Sequence, residues 1–494
     1  MKKLVGLLLS FCLLVCMIPV CTGTAAASEA VRQPYPLVII RGMDFMRGLK
    51  YNAGTPEEAD AHFAFSLKDF LSFTGKAAKG MAENGKAGFT DALFDYAYSL
   101  FAVYACDGNG DSLDPSVSAV TYDRAVSEYD SFWDYRTNRE EGLLQSAMNR
   151  YGAENVYFFK YDWRLDAAYN AERLHTVIEN ACADHGTDKV DLVCCSMGGL
   201  VSLAYLGIYG SGRIDSLVAD SSAMYGSDVA TELLTGQISF APDAVYRYLA
   251  SHAGAAAPLV WVLYKLGVIK GICNFLNTFK ANYEKEIYDR VLTPVFGTMP
   301  AIWELVDPDV YADAKAYIFG DGTDAYAGLL EKTDRIQQDV ISQREFILDG
   351  AMANGMKFAA IAGYDTPNAP AYPGGSLQGD GILETRCMSF GATVSEVGGK
   401  LTDEQLTGDA RYISADHCIN ANTALYKEYT WFVKDSEHVG CMYNSEYTML
   451  IFAILEAEIQ PTVDTWEKYP QFLQADKNEN LSPVTDAPGK WDRK

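Results

Sequence analysis

The stretch from Val190 to Tyr209 constrains this chain more than any other. Val190-Asp191-Leu192-Val193-Cys194 is mostly apolar and of strand length, which predicts a buried parallel strand. A sharp turn at Ser196 follows. From Met197 to Tyr209, Leu200, Leu203, Ala204 and Ile208 recur at helical spacing, flanked by Val201 and Leu206. A strand, a tight turn tipped by Ser and a helix form the setting in which a hydroxyl becomes an exposed nucleophile. Holding that residue at positive φ crowds the positions two before and two after it, so small side chains are needed there. Gly198 supplies one, and Cys194 stands where a second Gly is common. A register with Cys195 as nucleophile would put the bulkier Val193 and Met197 at those positions, so Ser196 is the sounder choice. The N–H of Met197, at the helix start, would face a developing oxyanion.

Ser-x-Gly also occurs in ordinary turns, so partners elsewhere in the chain carry weight. An elbow nucleophile needs an acid and then a His downstream. The chain has only six His, and His417 and His438 follow the late acidic candidates. Strand Thr430–Lys434, the loop Asp435-Ser436-Glu437-His438 and a helix from Asn444 to Ala457 place His438 just past a late strand. His417, in the polar Ser414-Ala415-Asp416-His417-Cys418, is the alternative base. Asp380, in Gly379-Asp380-Gly381-Ile382-Leu383, is the favoured acid, with Asp365 as competitor. The early strand Pro36–Ile40 runs into Arg41-Gly42-Met43-Asp44, where Gly42 permits close approach and Met43 N–H is the candidate second oxyanion donor.

A strand from Val156 that ends in Tyr161-Asp162-Trp163-Arg164 and strands at 190–194 and 214–219 alternate with helices at 167–185 and 197–209, which predicts a doubly wound, mostly parallel α/β sheet flanked by helices. Asp162 and Arg164 project to one side and can pair beside the site, with Trp163 on the other. The pattern lapses between Tyr225 and Gln343, read as an inserted helical cap, and resumes at Lys357–Ala362. This divides the chain into a leader (1–27), core (28–224), cap (225–343), core (344–460) and polar tail (461–494). Within the cap, Ala255–Leu276 is more apolar than one packed helix face requires. Trp261 and Phe275 there are candidate acyl-chain contacts. Upstream, residues 55–80, 88–106 and 137–151 read as helices. Asp107, Asn109 and Asp111 mimic the start of a calcium loop, but Ser112 and Ser118 stand where Gly and Glu are required, so a hairpin turn is expected and no metal or cofactor.

Lys2, Lys3, the apolar run to Val20 and Ala25-Ala26-Ala27 have the form of a cleaved export signal, so the expected location is secreted or extracytoplasmic. Val20 before Cys21 argues against lipidation. The formal net charge of −25 argues against nucleic acid and against anionic membrane surfaces as electrostatic partners, leaving transient lipid-interface contact at most. Cysteines are sparse for a disulfide scaffold, although Cys387, Cys418 and Cys441 lie close enough in sequence for one bridge.

Tyr161-Asp162-Trp163-Arg164-Leu165, a helix, and then Cys195-Ser196-Met197-Gly198-Gly199 resemble the lecithin:cholesterol acyltransferase family of α/β-hydrolases. Met299-Pro300-Ala301-Ile302-Trp303-Glu304-Leu305 and Gly379-Asp380-Gly381-Ile382-Leu383 extend the resemblance, in scattered motifs, from about Leu37 to Leu455. Cys195 for the family's usual His and Arg41 beside the oxyanion loop are departures. The resemblance implies an α/β-hydrolase fold and a lipid-like ester substrate, as for a lipase, phospholipase or acyltransferase. The residues alone also fit a carboxylesterase for small or polymeric esters, or a non-catalytic surface-binding protein that keeps the fold.

Overall fold

In the computed structural model the described residues are 35–45, 48–62, 67–129, 141–438, 440, 445–476, 480–487 and 490–491. The segment expected to be an export signal, the start of the helix expected from Thr137, and Cys441 lie outside them. The organising element is an eight-stranded sheet. Its strands are β1 (Leu37–Ile40), β2 (Val156–Phe159), β3 (Val190–Ser196), β4 (Ile214–Ser222), β5 (Lys357–Tyr364), β6 (Thr430–Lys434), β7 (Phe472–Ala475) and β8 (Leu481–Pro483). The spatial order is β8-β7-β6-β5-β4-β3-β1-β2. All pairings are parallel except β7 with β8. Every residue of β1, β2 and β6 is buried, which is why these strands read as continuous apolar runs rather than alternating ones. Helices α1 (Ala167–His185), α2 (Gly198–Tyr209), α3 (Arg344–Ala353) and α4 (Ser445–Leu455) connect or follow the strands. Asp166 caps α1, its carboxylate accepting from the N–H groups of Ala168 and Tyr169.

Two stretches differ from expectation. The segment after Gln460 is not an external tail. β7 extends the main sheet beside β6, and β8 closes its edge. Aromatic anchors explain this: the Phe472 ring stacks on Phe432, and Trp466 packs against Trp431. Trp491 Nε1 donates to the Asp365 carbonyl at 3.1 Å. The N-terminal helical region begins at Leu67, and residues 50–60 instead pair as short strands. Leu67–Phe101 then turns back at Gly85 (φ 63°) into a helical hairpin. Its arms meet at Gly80 and Gly88, where a Cβ on Gly80 would lie 2.3 Å from the Gly88 carbonyl oxygen. Phe73 and Tyr96 stack between the arms at 4.7 Å.

Between β4 and β5 the elements are all helical. Asp107–Asp111 is a tight turn in which the Asp107 carboxylate caps the N–H groups of Asn109 and Asp111. Cys387 and Cys418 are both free thiols, so no bridge joins them.

Candidate active site

Ser196 closes β3 at φ +52°, a left-handed conformation that costs a non-glycine residue about 1–2 kcal/mol. The surroundings hold it there. A bulge sets Cys195 opposite Asp220 and Ser196 opposite Ser222, leaving Ser221 as the extra residue at φ +45°. The Ser196 carbonyl accepts from Ala223 N–H at 2.8 Å. Two glycines permit the approach of neighbouring chain. A Cβ on Gly42 would lie 2.5 Å from Ser196 Cβ, and one on Gly198 would lie 2.7 Å from the carbonyl oxygens of Ile40 and Arg41. Cys195, the alternative nucleophile, is fully buried, with its thiol 3.9 Å from Asp220.

The loop after β1 therefore lies directly on the Ser196 side chain. Neither Met43 N–H nor Met197 N–H donates a hydrogen bond among the described residues. The same loop is braced from below. Trp163 Nε1 donates to the Asp44 carbonyl at 3.2 Å, and the Trp163 ring packs between Phe45 and Tyr104. Arg41 pairs with Asp44 at 2.6 Å. Arg164, fully buried, pairs with Asp162 at 2.7 Å and donates to Ser112 Oγ and the carbonyls of Val103 and Val117. The Tyr-Asp-Trp-Arg run thus ties β2 to the turn-rich segment around Ser112 and, through Trp163, to the loop carrying Met43.

Asp380 and His438 meet at the same carboxyl end of the sheet. His438 Nδ1 lies 2.7 Å from Asp380 Oδ2. The other carboxylate oxygen of Asp380 accepts from Ile382 N–H at 3.0 Å and Leu383 N–H at 2.9 Å, so the turn itself fixes the buried acid. Gly363 near the end of β5 lets this turn dock, since a Cβ there would lie 2.8 Å from Asp380 Cβ. Ser196, Asp380 and His438 follow the carboxyl ends of β3, β5 and β6. β3 and β5 are separated only by β4, so about 10 Å divides them at the usual strand spacing. Ser196 Oγ is partly exposed and has no hydrogen-bond partner among the described residues.

The competing candidates are otherwise engaged. Asp365 is buried, 3.7 Å from Lys434 Nζ, which also bonds Asp416 at 2.8 Å. His417 is exposed on the adjoining loop at φ +59°. Trp261 and Phe275 are both exposed on the cap helices. The residues that those helices bury are Ile269, Cys273 and Leu276.

A buried cluster beside the Asp380 turn escaped the sequence reading. Asp228, Glu384 and Cys387 bring ligand-type atoms within 4.8 Å of one another. Their hydrogen bonds are already internal. Arg386 binds both Asp228 oxygens at 2.6 Å, while Glu384 accepts from the Tyr372 hydroxyl and from Asp228 N–H. The arrangement clamps the Asp380 turn to the segment after β4 rather than cradling a cation. Burial, reinforced by Asp228, pushes the Glu384 carboxyl up to about 8 from its ordinary 4.5. A carboxyl whose folded pKa is raised stabilises the fold most below the unfolded value, and that contribution is lost as pH rises through the folded value. Thermal stability should therefore fall between about pH 5 and pH 8 through this group. Glu384→Gln, which mimics the neutral form, should flatten that slope and melt above the parent at pH 8. A parent profile that rises over this range, or an unchanged slope in the variant, would assign the pH dependence elsewhere.

Comparison with known proteins adds little. No family model matches the chain, and no curated protein matches it. Among solved structures, one described as the Tle4–Tli4 complex is 12% identical, covering 86% of this chain and 99% of that chain at a TM-score of 0.34. A thermophilic esterase from Thermogutta terrifontis, malate bound, is 16% identical, covering 59% of this chain and 72% of that chain at a TM-score of 0.22.

Proposed function

We propose that this protein is an exported serine hydrolase of the α/β-hydrolase class that cleaves or transfers the acyl group of lipid-like carboxylic esters. The observation that carries the reading is the strained Ser196 at the carboxyl end of the sheet, the end that also bears the Asp380–His438 pair. Backbone strain of this kind persists where the surrounding structure over-determines it, and it clusters at functional sites.

In the proposed reaction Ser196 Oγ attacks the ester carbonyl while His438 Nε2 takes its proton. Asp380, bonded to Nδ1, fixes the imidazole orientation and stabilises the imidazolium. The N–H groups of Met43 and Met197 receive the oxyanion. Collapse of the tetrahedral intermediate expels the alcohol, protonated by His438, and leaves an acyl-Ser196 ester. Water or an alcohol acceptor, deprotonated by His438, then releases the acyl group. Catalytic hydrogen bonds between such a hydroxyl and imidazole often tighten only with substrate bound.

The lipid-like substrate rests on the resemblance to the lecithin:cholesterol acyltransferase family. A carboxylesterase for small or polymeric esters is the second reading, favoured by the partial exposure of Ser196. A panel of chromogenic acyl esters of rising chain length separates them. Turnover that climbs from acetate to long-chain esters supports the lipid reading, and turnover confined to acetate and butyrate supports the second. No turnover of any ester, with no reaction toward a fluorophosphonate, would favour a non-catalytic binding protein.

A further inference from the structure

The cap holds an apolar surface that the reaction does not use. The helical stretches Gly254–Lys265 and Val268–Val295 meet at a bend of 73°. Their inner side forms a small core of its own, Val245, Ile269 and Cys273 with Leu263 and Tyr264 against it, separate from the main core. Their outer side exposes Leu259 (59%), Trp261 (50%) and, at the tip of the bend, Leu266 (73%), with Val262 and Val268 on either side. Exposed large apolar residues gathered on one bent element are uncommon on a soluble surface and mark a contact site.

Charge identifies the partner. The chain carries 65 acidic against 40 basic residues, yet residues 244–283 contain no Asp or Glu and include Arg247, Lys265, Lys270 and Lys280. Lys280 is neutralised by Glu284 at 2.6 Å, and Arg247 is buried. Lys265 and Lys270 are exposed on either side of the bend, and neither pairs with a carboxylate among the described residues. Lys265 Nζ lies over the rings of Trp261 and Tyr264, at 5.7 and 5.8 Å. The Tyr264 hydroxyl donates to Asp243 at the base of the unit. An apolar tip ringed by Lys and Trp is the composition that seats a helix in a headgroup layer, with cations among anionic lipids and rings at the interface. No single described helix is long and apolar enough to cross a membrane.

We infer that the bend between these two helices docks the protein, without spanning, on an anionic lipid surface, with Val262, Leu266 and Val268 entering the acyl boundary and Lys265 and Lys270 among the headgroups. The overall negative charge keeps the rest of the protein off such a surface and so orients the contact. This docking does not depend on Ser196 being a nucleophile, and its test uses no turnover.

The test is sedimentation of the protein from residue 28 onward, which contains every described element, with vesicles of phosphatidylglycerol and phosphatidylcholine or of phosphatidylcholine alone. The expected result is binding to the mixed vesicles at least about tenfold tighter than to phosphatidylcholine, weakened by added salt. Lys265→Glu with Lys270→Glu should remove that preference. Leu266→Ser with Val268→Ser should lower binding about tenfold or more. All four positions are exposed, so melting temperatures should stay at the parent value. No binding, equal binding to both vesicles, or binding that survives both double variants would overturn the inference. A concentration-dependent dimer broken by Leu266→Ser with Val268→Ser, without vesicle binding, would overturn it in favour of a second copy as the occupant.

Discussion

Ser196→Ala should abolish fluorophosphonate labelling and lower kcat for ester turnover by about a millionfold, the loss seen when a triad nucleophile is removed. The turn that makes Ser196 reactive also provides an independent check. At φ +52° alanine is as strained as serine, whereas glycine is not. Ser196→Gly should therefore be as inactive as Ser196→Ala yet more stable by about 1 kcal/mol. Gly42→Ala should differ by losing stability as well as activity. Its new Cβ would lie 2.5 Å from Ser196 Cβ, so the loop bearing Met43 must shift, and activity and stability should fall together. Labelling that survives Ser196→Ala would remove Ser196 from the chemistry.

Much of this site is legible in the sequence because its signals are local. Val190–Cys194 followed by helical spacing from Met197 fixes a strand-to-helix turn, and Gly42 and Gly198 mark close approaches. The acid and base are legible in kind but not in identity. Asp365 and Asp380 both follow β5, and only tertiary contacts separate them: Lys434 holds Asp365, and His438 meets Asp380. The Glu384 clamp is invisible in sequence because its partner Asp228 is far away in the chain and no periodicity links them. β7 is missed because a strand of 4 residues within a polar segment has no clear period, although Trp466, Tyr469, Phe472 and Leu473 together are a signal that could have revealed it. The cap shows a different limit. Hydropathy reports that Ala255–Leu276 exceeds the needs of packing but not which side faces solvent. In the structure Ile269 and Cys273 are buried in a satellite core while Trp261 is exposed.

His438→Ala should cost about a millionfold in kcat and Asp380→Ala about ten-thousandfold, the division found when base and orienting acid are removed from such triads. Asp380→Asn is the sharper experiment. Its side-chain oxygen can still accept from Ile382 N–H and Leu383 N–H, so the turn should remain folded. Its amide then presents a donor to His438 Nδ1, which forces the tautomer that protonates Nε2 and leaves no lone pair for Ser196 Oγ. The variant should melt near the parent temperature and yet lose about ten-thousandfold in kcat. Asp380→Ala, lacking both backbone bonds, should also melt lower. His417→Ala should leave turnover unchanged, since that side chain is exposed and bonds neither acid candidate. Parent turnover should decline on acidification, because a protonated imidazole cannot accept the Ser196 proton. Near-parent activity in His438→Ala together with a large loss in His417→Ala would transfer the base to the neighbouring loop, and full activity in Asp380→Asn would show that Asp380 does not set the imidazole tautomer.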